Sequence, residues 1–197
     1  MSKPKIAVIY YSTYGTNYAV ARAAARAAEE AGAEVRLRRV AETAPAEVVQ
    51  SQEARAKQLA SMQDIPEVSH ADMEWAEGYF VAAPTRYGVS ASQLRAFFDT
   101  LGGIWQQGKL GNKTFTATTS AQNTHGGQEQ TILSLYATAM HWGCIIVAPG
   151  YTDPVKFEDG GNPYGFSTNA GGLDDAGERS VAYQARRLVE MTRKLVA

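Results

Sequence analysis

The sequence holds one cysteine, Cys144, among 197 residues. No intrachain disulfide can form, and no zinc site can be built on cysteine sulfur. Histidine is nearly as scarce: His70, His125 and His141 are too scattered to suggest a metal cluster. No apolar run approaches the roughly 20 residues needed to cross a bilayer. The run behind the basic start Met1 to Lys5, Ile6 to Tyr11, is far too short for a signal segment. The cytoplasm is therefore the expected compartment, with no membrane partner. Excess charge is missing too. Nineteen basic residues stand against twenty acidic ones, a formal net charge of -1. That argues against a nucleic-acid partner, because phosphate affinity rests on clustered positive charge. The two tight basic clusters, Arg36-Leu37-Arg38-Arg39 and Arg186-Arg187, lie at the edges of predicted elements and read as solvated faces. Two phosphate-binding signatures are absent as well: G-x-G-x-x-G of a dinucleotide fold and G-x-x-x-x-G-K-[ST] of a P-loop.

What is present is enough apolar material, 45% of the chain, for a substantial core. Strand-like and helix-like patterns alternate from end to end. Ile6 to Tyr11 is a continuous apolar run, the sign of a strand buried on both faces. A helix follows with Val20, Ala24, Ala28 and Ala31 on one face, stopped at Gly32. Ala33 to Val40 alternates with charge, as an edge strand would. Glu47 to Met62 reads as one polar, exposed helix. Ser69, with Asp72 three residues on, predicts a capping box and a short helix. Tyr79 to Ala83 is the third strand, stopped by Pro84. A helix over Gln93 to Leu101 is broken by Gly102-Gly103. Phe115 to Thr119 and Cys144 to Ala148 are the fourth and fifth strands, with a helix from Gln128 to Trp142 between them. A final helix repeats Val181, Ala185, Leu188, Val189, Thr192 and Leu195 at threes and fours. Five strands separated by helices predict a doubly wound α/β domain spanning 1–197, its parallel sheet covered on both faces.

In such sheets ligands bind beyond the carboxyl ends of the strands. The first strand-end loop, Ser12-Thr13-Tyr14-Gly15-Thr16-Asn17, runs straight into a helix. Three hydroxyls, an amide and the free N–H groups of the helix start make a neutral anion cradle. With no lysine to meet a triphosphate, it suits a single phosphate monoester such as that of FMN. A plain N-cap and turn is the alternative. The third strand ends in Pro84-Thr85-Arg86-Tyr87-Gly88, whose backbone and Tyr87 could meet a flat ring, unless it is only a proline–glycine turn. The fourth ends in Ser120-Ala121-Gln122-Asn123-Thr124-His125-Gly126, too polar for core. Three such loops at one edge describe a flavin site better than three accidental turns.

These loops closely resemble the tryptophan repressor-binding protein family, the type IV NAD(P)H:quinone oxidoreductases. The ordered set extends through Leu101-Gly102-Gly103-Ile104-Trp105, Gly126 to Thr131, His141, Gly161-Asn162-Pro163-Tyr164-Gly165 and Ala170-Gly171-Gly172. The resemblance implies a flavodoxin-like fold with strand order 2-1-3-4-5, non-covalent FMN, two-electron quinone reduction and a homotetramer. It places Ser12 to Asn17 on the phosphate loop, with Tyr14 also at the nicotinamide. Thr85 to Tyr87 fall on the ring-binding loop, Ala121 to Gly126 on the other flavin loop, His141 on a flavin contact and Trp105 on the substrate position. One departure stands out: Gln122 to His125 occupy a stretch where the family often has a glycine-rich run, and residues 50 to 64 match little.

The expected chemistry is a ping-pong cycle in which NADH or NADPH and then a quinone use one slot walled by Tyr14, Tyr87 and Trp105. His141 is the proton-handling candidate, or else it merely ends its helix, where a cation meets the dipole. Cys144 opens a buried strand and is expected to be inert. Two other classes share some of these features. An electron carrier of the flavodoxin type would have the fold and cofactor, though carriers are usually shorter and strongly acidic. A regulatory protein-binding module has no surface motif in its favour.

Overall fold

A computed structural model describes residues 3–196. Its sheet follows the path β2-β1-β3-β5-β6 through strands β1 (Lys5–Tyr10), β2 (Glu34–Arg39), β3 (Gly78–Arg86), β5 (Thr114–Ala121) and β6 (Ile145–Ile146), all parallel. These are the five strands expected, in the expected order 2-1-3-4-5. Two short strands bring the sheet to seven: β4 (Val89–Ser90), antiparallel to β3, and β7 (Ser167–Asn169), parallel to β5. At two and three residues, neither is long enough to show an alternation in sequence.

The pleat sends successive residues of each strand to opposite faces. Ala7, Ile9 and Tyr11 join one core with Leu94, Phe98, Ile132 and Leu135, drawn from helices α5 (Ser92–Asp99) and α7 (Gln128–His141). Ile6, Val8 and Tyr10 join the other, beneath α1 (Thr16–Glu30) and α8 (Asp175–Val196). Seven alanines between Ala19 and Ala28 let α1 lie close to both the sheet and α8.

Several boundaries differ from expectation, each for a local reason. Pro84 does not stop β3, which runs on to Arg86. By that point β1 has ended, so the missing N–H of proline costs no ladder bond on that side. The expected strand Cys144 to Ala148 shrinks to two ladder residues before Pro149. The single helix expected over 47 to 62 is two, α2 (Ala46–Gln50) and α3 (Glu53–Ser61), separated at Ser51-Gln52. The helix expected over 93 to 101 does end before the glycine pair, at Asp99, but Gly102 and Gly103 themselves begin a five-residue helix, α6 (Gly102–Gln106). The capping box at Ser69 forms as read, opening α4 (His70–Trp75). Burial alone would raise the Asp72 carboxyl, but its bonds from Ser69, Arg38 and Arg36 outweigh that and hold it low. Cys144 is buried, its thiol donating to Leu110 O at 3.3 Å, and burial pushes it up to about 12. At neutral pH that sulfur is a packing group rather than a nucleophile.

Candidate functional site

The parallel strands all deliver their carboxyl ends to one edge, and there the three predicted loops converge. In the first, Ser12 Oγ accepts the Gly15 N–H at 3.1 Å, and Gly15 adopts φ 102° to turn the chain into α1. No side chain caps α1, and no acid lies in its first turn. Its leading N–H groups, which have no partner inside the helix, face outward with the positive end of the dipole. Asn17, 2% exposed, donates through Nδ2 to Ser120 Oγ at 2.8 Å. Its Oδ1 is buried with no partner.

The second loop is a tight hairpin. Thr85 pairs Ser90 and Arg86 pairs Val89, leaving only Tyr87 and Gly88 in the turn, at φ 53° and 82°. Positive φ at both positions is a type I′ turn, which favours Asn-Gly. A bulky tyrosine there is strained, and its ring is fully exposed, so no packing compensates. Arg86 ties this loop to the first through Nη2 to Thr13 Oγ1 at 3.0 Å. The third loop abuts the hairpin: a Cβ on Gly127 would stand 3.0 Å from Gly88 Cα.

Together the loops enclose a cleft of about 600 Å³. From the first loop it is lined by Ser12, Thr13, Tyr14, Thr16 and Asn17, and from the second by Pro84 to Tyr87. Ser120, Ala121, Gln122, Asn123 and Gly126 complete it, and among the described residues no carboxylate lines it. One lining residue the sequence reading did not assign is Ala170. Gly171 N donates to Thr16 Oγ1 at 3.3 Å, which carries the Ala170-Gly171-Gly172 turn onto the first loop. That paired glycine was the available signal.

Other predicted residues lie apart from this cleft. Thr124 and His125 are exposed at the tip of the third loop. His141 and Trp105 sit together elsewhere, Trp105 Nε1 donating to His141 O at 3.0 Å. His141 lines a separate groove of about 610 Å³ with Leu133, Ala137 and Thr138. Neither residue reaches the cleft of its own chain.

A second cavity of about 720 Å³ adjoins the cleft and shares Thr13, Tyr14, Arg86 and Tyr87 with it. Beneath lies a buried cluster that sequence reasoning missed, because it falls within or beside the poorly matching segment. Glu42 takes Arg55 Nη2 at 2.9 Å, Tyr11 Oη at 2.9 Å and Gln93 Nε2 at 3.0 Å. Burial would raise the Glu42 carboxyl, yet these bonds and one from Ala44 N bring it below its ordinary value. Tyr14 Oη donates to Gln52 Oε1 at 2.5 Å, so the link between α2 and α3 braces the first loop.

A doubly wound sheet with an uncapped helix start, three polar loops and an aromatic rim defines an α/β protein built to hold a phosphorylated planar ligand. Residues 4–152 match the family model of NADPH-dependent FMN reductases, and the chain belongs to that family. It is 54% identical over 194 residues to an NAD(P)H dehydrogenase (quinone) of Deinococcus radiodurans, covering 98% of this chain and 97% of that one. A Caulobacter vibrioides protein of the same name is 39% identical, covering 97% and 98%. Among solved structures, a flavodoxin, WrbA-like protein from Agrobacterium tumefaciens superimposes with TM-score 0.70 at 19% identity, over 98% and 99% of the two chains. A flavodoxin from the domain Archaea does so with TM-score 0.63 at 15% identity, over 96% and 99%. These two likenesses are of fold, and that fold is flavodoxin-like.

Proposed function

We propose that this chain, acting as one domain, is an FMN-dependent NAD(P)H:quinone oxidoreductase that reduces quinones by two electrons in a ping-pong cycle. The observation that carries the reading is the acid-free cleft joining the uncapped start of α1 to an exposed aromatic rim. The residues present fit FMN part by part. The hydroxyls of Ser12, Thr13 and Thr16 and the first turn of α1 suit a phosphate monoester. The orphaned Asn17 Oδ1 suits a hydroxyl donor such as a ribityl chain supplies. Pro84 to Tyr87 and the third loop suit the ring. When bound, FMN supplies the two-electron transfer between nicotinamide and quinone.

The chain's own residues bind and orient. Tyr14 and Tyr87, 60% and fully exposed, wall an open slot that accepts one planar ligand at a time. Arg86 holds the hairpin against the first loop and keeps that slot in register. His141 and Trp105 would enter only from another copy of the chain, as in the homotetramer the resemblance implies. The exposed apolar surface around them, Trp105, Leu133 and Met140, supports such burial. The compartment proposed is the cytoplasm.

Initial rates with NADPH and benzoquinone varied together test the cycle. Parallel double-reciprocal lines are expected; intersecting lines would mean both ligands bind at once and would overturn the single-slot reading. Relieving the strained turn gives a second test. Tyr87→Asn is expected to stabilise flavin-free protein by about 1 kcal/mol while weakening FMN, read by thermal unfolding with and without flavin. A lower melting temperature for the flavin-free variant would show that Tyr87 is structural.

A further inference from the structure

The cavity beside the flavin cleft carries features that the flavin does not use. Three guanidinium groups line it; Arg55 is paired with Glu42, but among the described residues neither Arg86 nor Arg95 lies within 4.0 Å of a carboxylate. Arg95 spends Nη1 on Thr138 Oγ1 at 2.8 Å and keeps the rest of its donors. The cavity's lining includes no Asp or Glu. Glu42, underneath, is already matched by Arg55.

Helix α5 begins at the wall of this cavity, with Ser92 and Gln93 among the lining residues. Ala91 at its N-cap offers no side-chain acceptor, and its first turn holds no acid. The start of α1 shows the same two omissions where it meets the first cleft. An independent observation sharpens the parallel. Ser90, 2% exposed, lines the cavity, and its Oγ is buried with no partner. A buried hydroxyl left unpaired costs about 1–3 kcal/mol, and a ligand oxygen would satisfy it.

Resting on the oxidoreductase reading, we propose that Arg95, Arg86, Ser90 and the start of α5 form a second phosphate site, which holds a phosphate of the nicotinamide donor. Guanidinium forks, an unspent helix terminus and an orphaned hydroxyl are all donors, and a phosphate is an all-acceptor group. The two cavities share Tyr14 and Tyr87, so a donor whose ring lies at the flavin can extend its phosphates toward Arg95 without leaving a continuous surface. Nicotinamide donors carry phosphate in two places, the pyrophosphate bridge and, in NADPH, the ribose 2′-phosphate. Both present the same chemistry to this site.

Calorimetry on FMN-loaded protein tests it, with the non-reacting probes NADP+, NAD+, 2′,5′-ADP and ADP. Arg95→Met and Ser90→Ala are each expected to weaken at least one phosphate probe tenfold or more while FMN affinity stays unchanged. Arg95→Lys should recover part of the loss. Selective loss of NADP+ and 2′,5′-ADP assigns the 2′-phosphate; equal loss of all four assigns the pyrophosphate. Steady-state rates should show the same effect as a higher donor KM at nearly constant kcat. Probe affinities equal to those of the parent, a parent that takes FMN but no probe, or FMN affinity falling along with the probes would each overturn the second site and leave the FMN reading standing. A protein that takes no FMN overturns both.

Discussion

Replacing Asn17 by aspartate is expected to lower FMN affinity by about two orders of magnitude. The substitution is isosteric, and the Ser120 hydroxyl, now 2.8 Å from Nδ2, can turn to donate to the new carboxylate. Asn17 lies in the first turn of α1, which has no acid of its own. A negative charge there is favoured by the dipole, which offsets only part of the cost of burying a carboxylate at a side chain 2% exposed, so flavin-free protein should melt at a lower temperature. The bound phosphate adds repulsion. Two like charges about 5 Å apart at an effective dielectric near 20 repel by about 3 kcal/mol. Flavin fluorescence quenching measures the affinity and thermal unfolding the stability. Unchanged affinity would remove the phosphate from this loop.

The second large effect concerns the fold. Lys156→Met is expected to cost about 3–5 kcal/mol of stability. The Lys156 side chain is fully buried, and its Nζ lies 2.5 Å from Asp159 Oδ2, itself 1% exposed. Asp159 also accepts from Gly161 N at 2.9 Å and from Ser180 on α8, so the pair fastens the segment after the 3₁₀ turn Pro154–Phe157 to that helix. Methionine fills the space but leaves a buried carboxylate without its cation. Denaturant titration measures the loss, and a partner change of Asp159→Leu should restore much of it, because two apolar groups leave no charge uncompensated. The same segment leads on to β7 and to Ala170 at the cleft, so the ion pair secures one wall of the site. A loss below 1 kcal/mol would mean that water reaches Asp159.

Much of this was legible in the sequence. Apolar runs gave away β1 and β3 because both faces of a parallel strand are buried, and alternation marked β2 as the edge, whereas β5 is buried throughout despite its threonines. The three polar loops were readable because hydroxyls, amides and glycines at strand ends have no place in a core. What escaped was non-local or short. Two-residue β4 carries no period, yet it makes the hairpin that presents Tyr87. Glu42 and Arg55 are thirteen residues apart and meet only because α3 folds back under the first loop. His141 and Trp105 came from resemblance to a family, which names residues without saying which copy supplies them. Within one chain the two sit against each other and away from the cleft.

The central claim is that the cleft holds FMN and passes electrons from a reduced nicotinamide to a quinone. Purified protein reconstituted with FMN, mixed anaerobically with NADH or NADPH and followed at the visible flavin band, tests it most directly. Bleaching by the nicotinamide and full recovery on adding benzoquinone is the expected result. Flavin that binds but stays oxidised in both nicotinamides would contradict the account and leave an electron carrier; protein that binds no flavin would contradict it at the cleft itself.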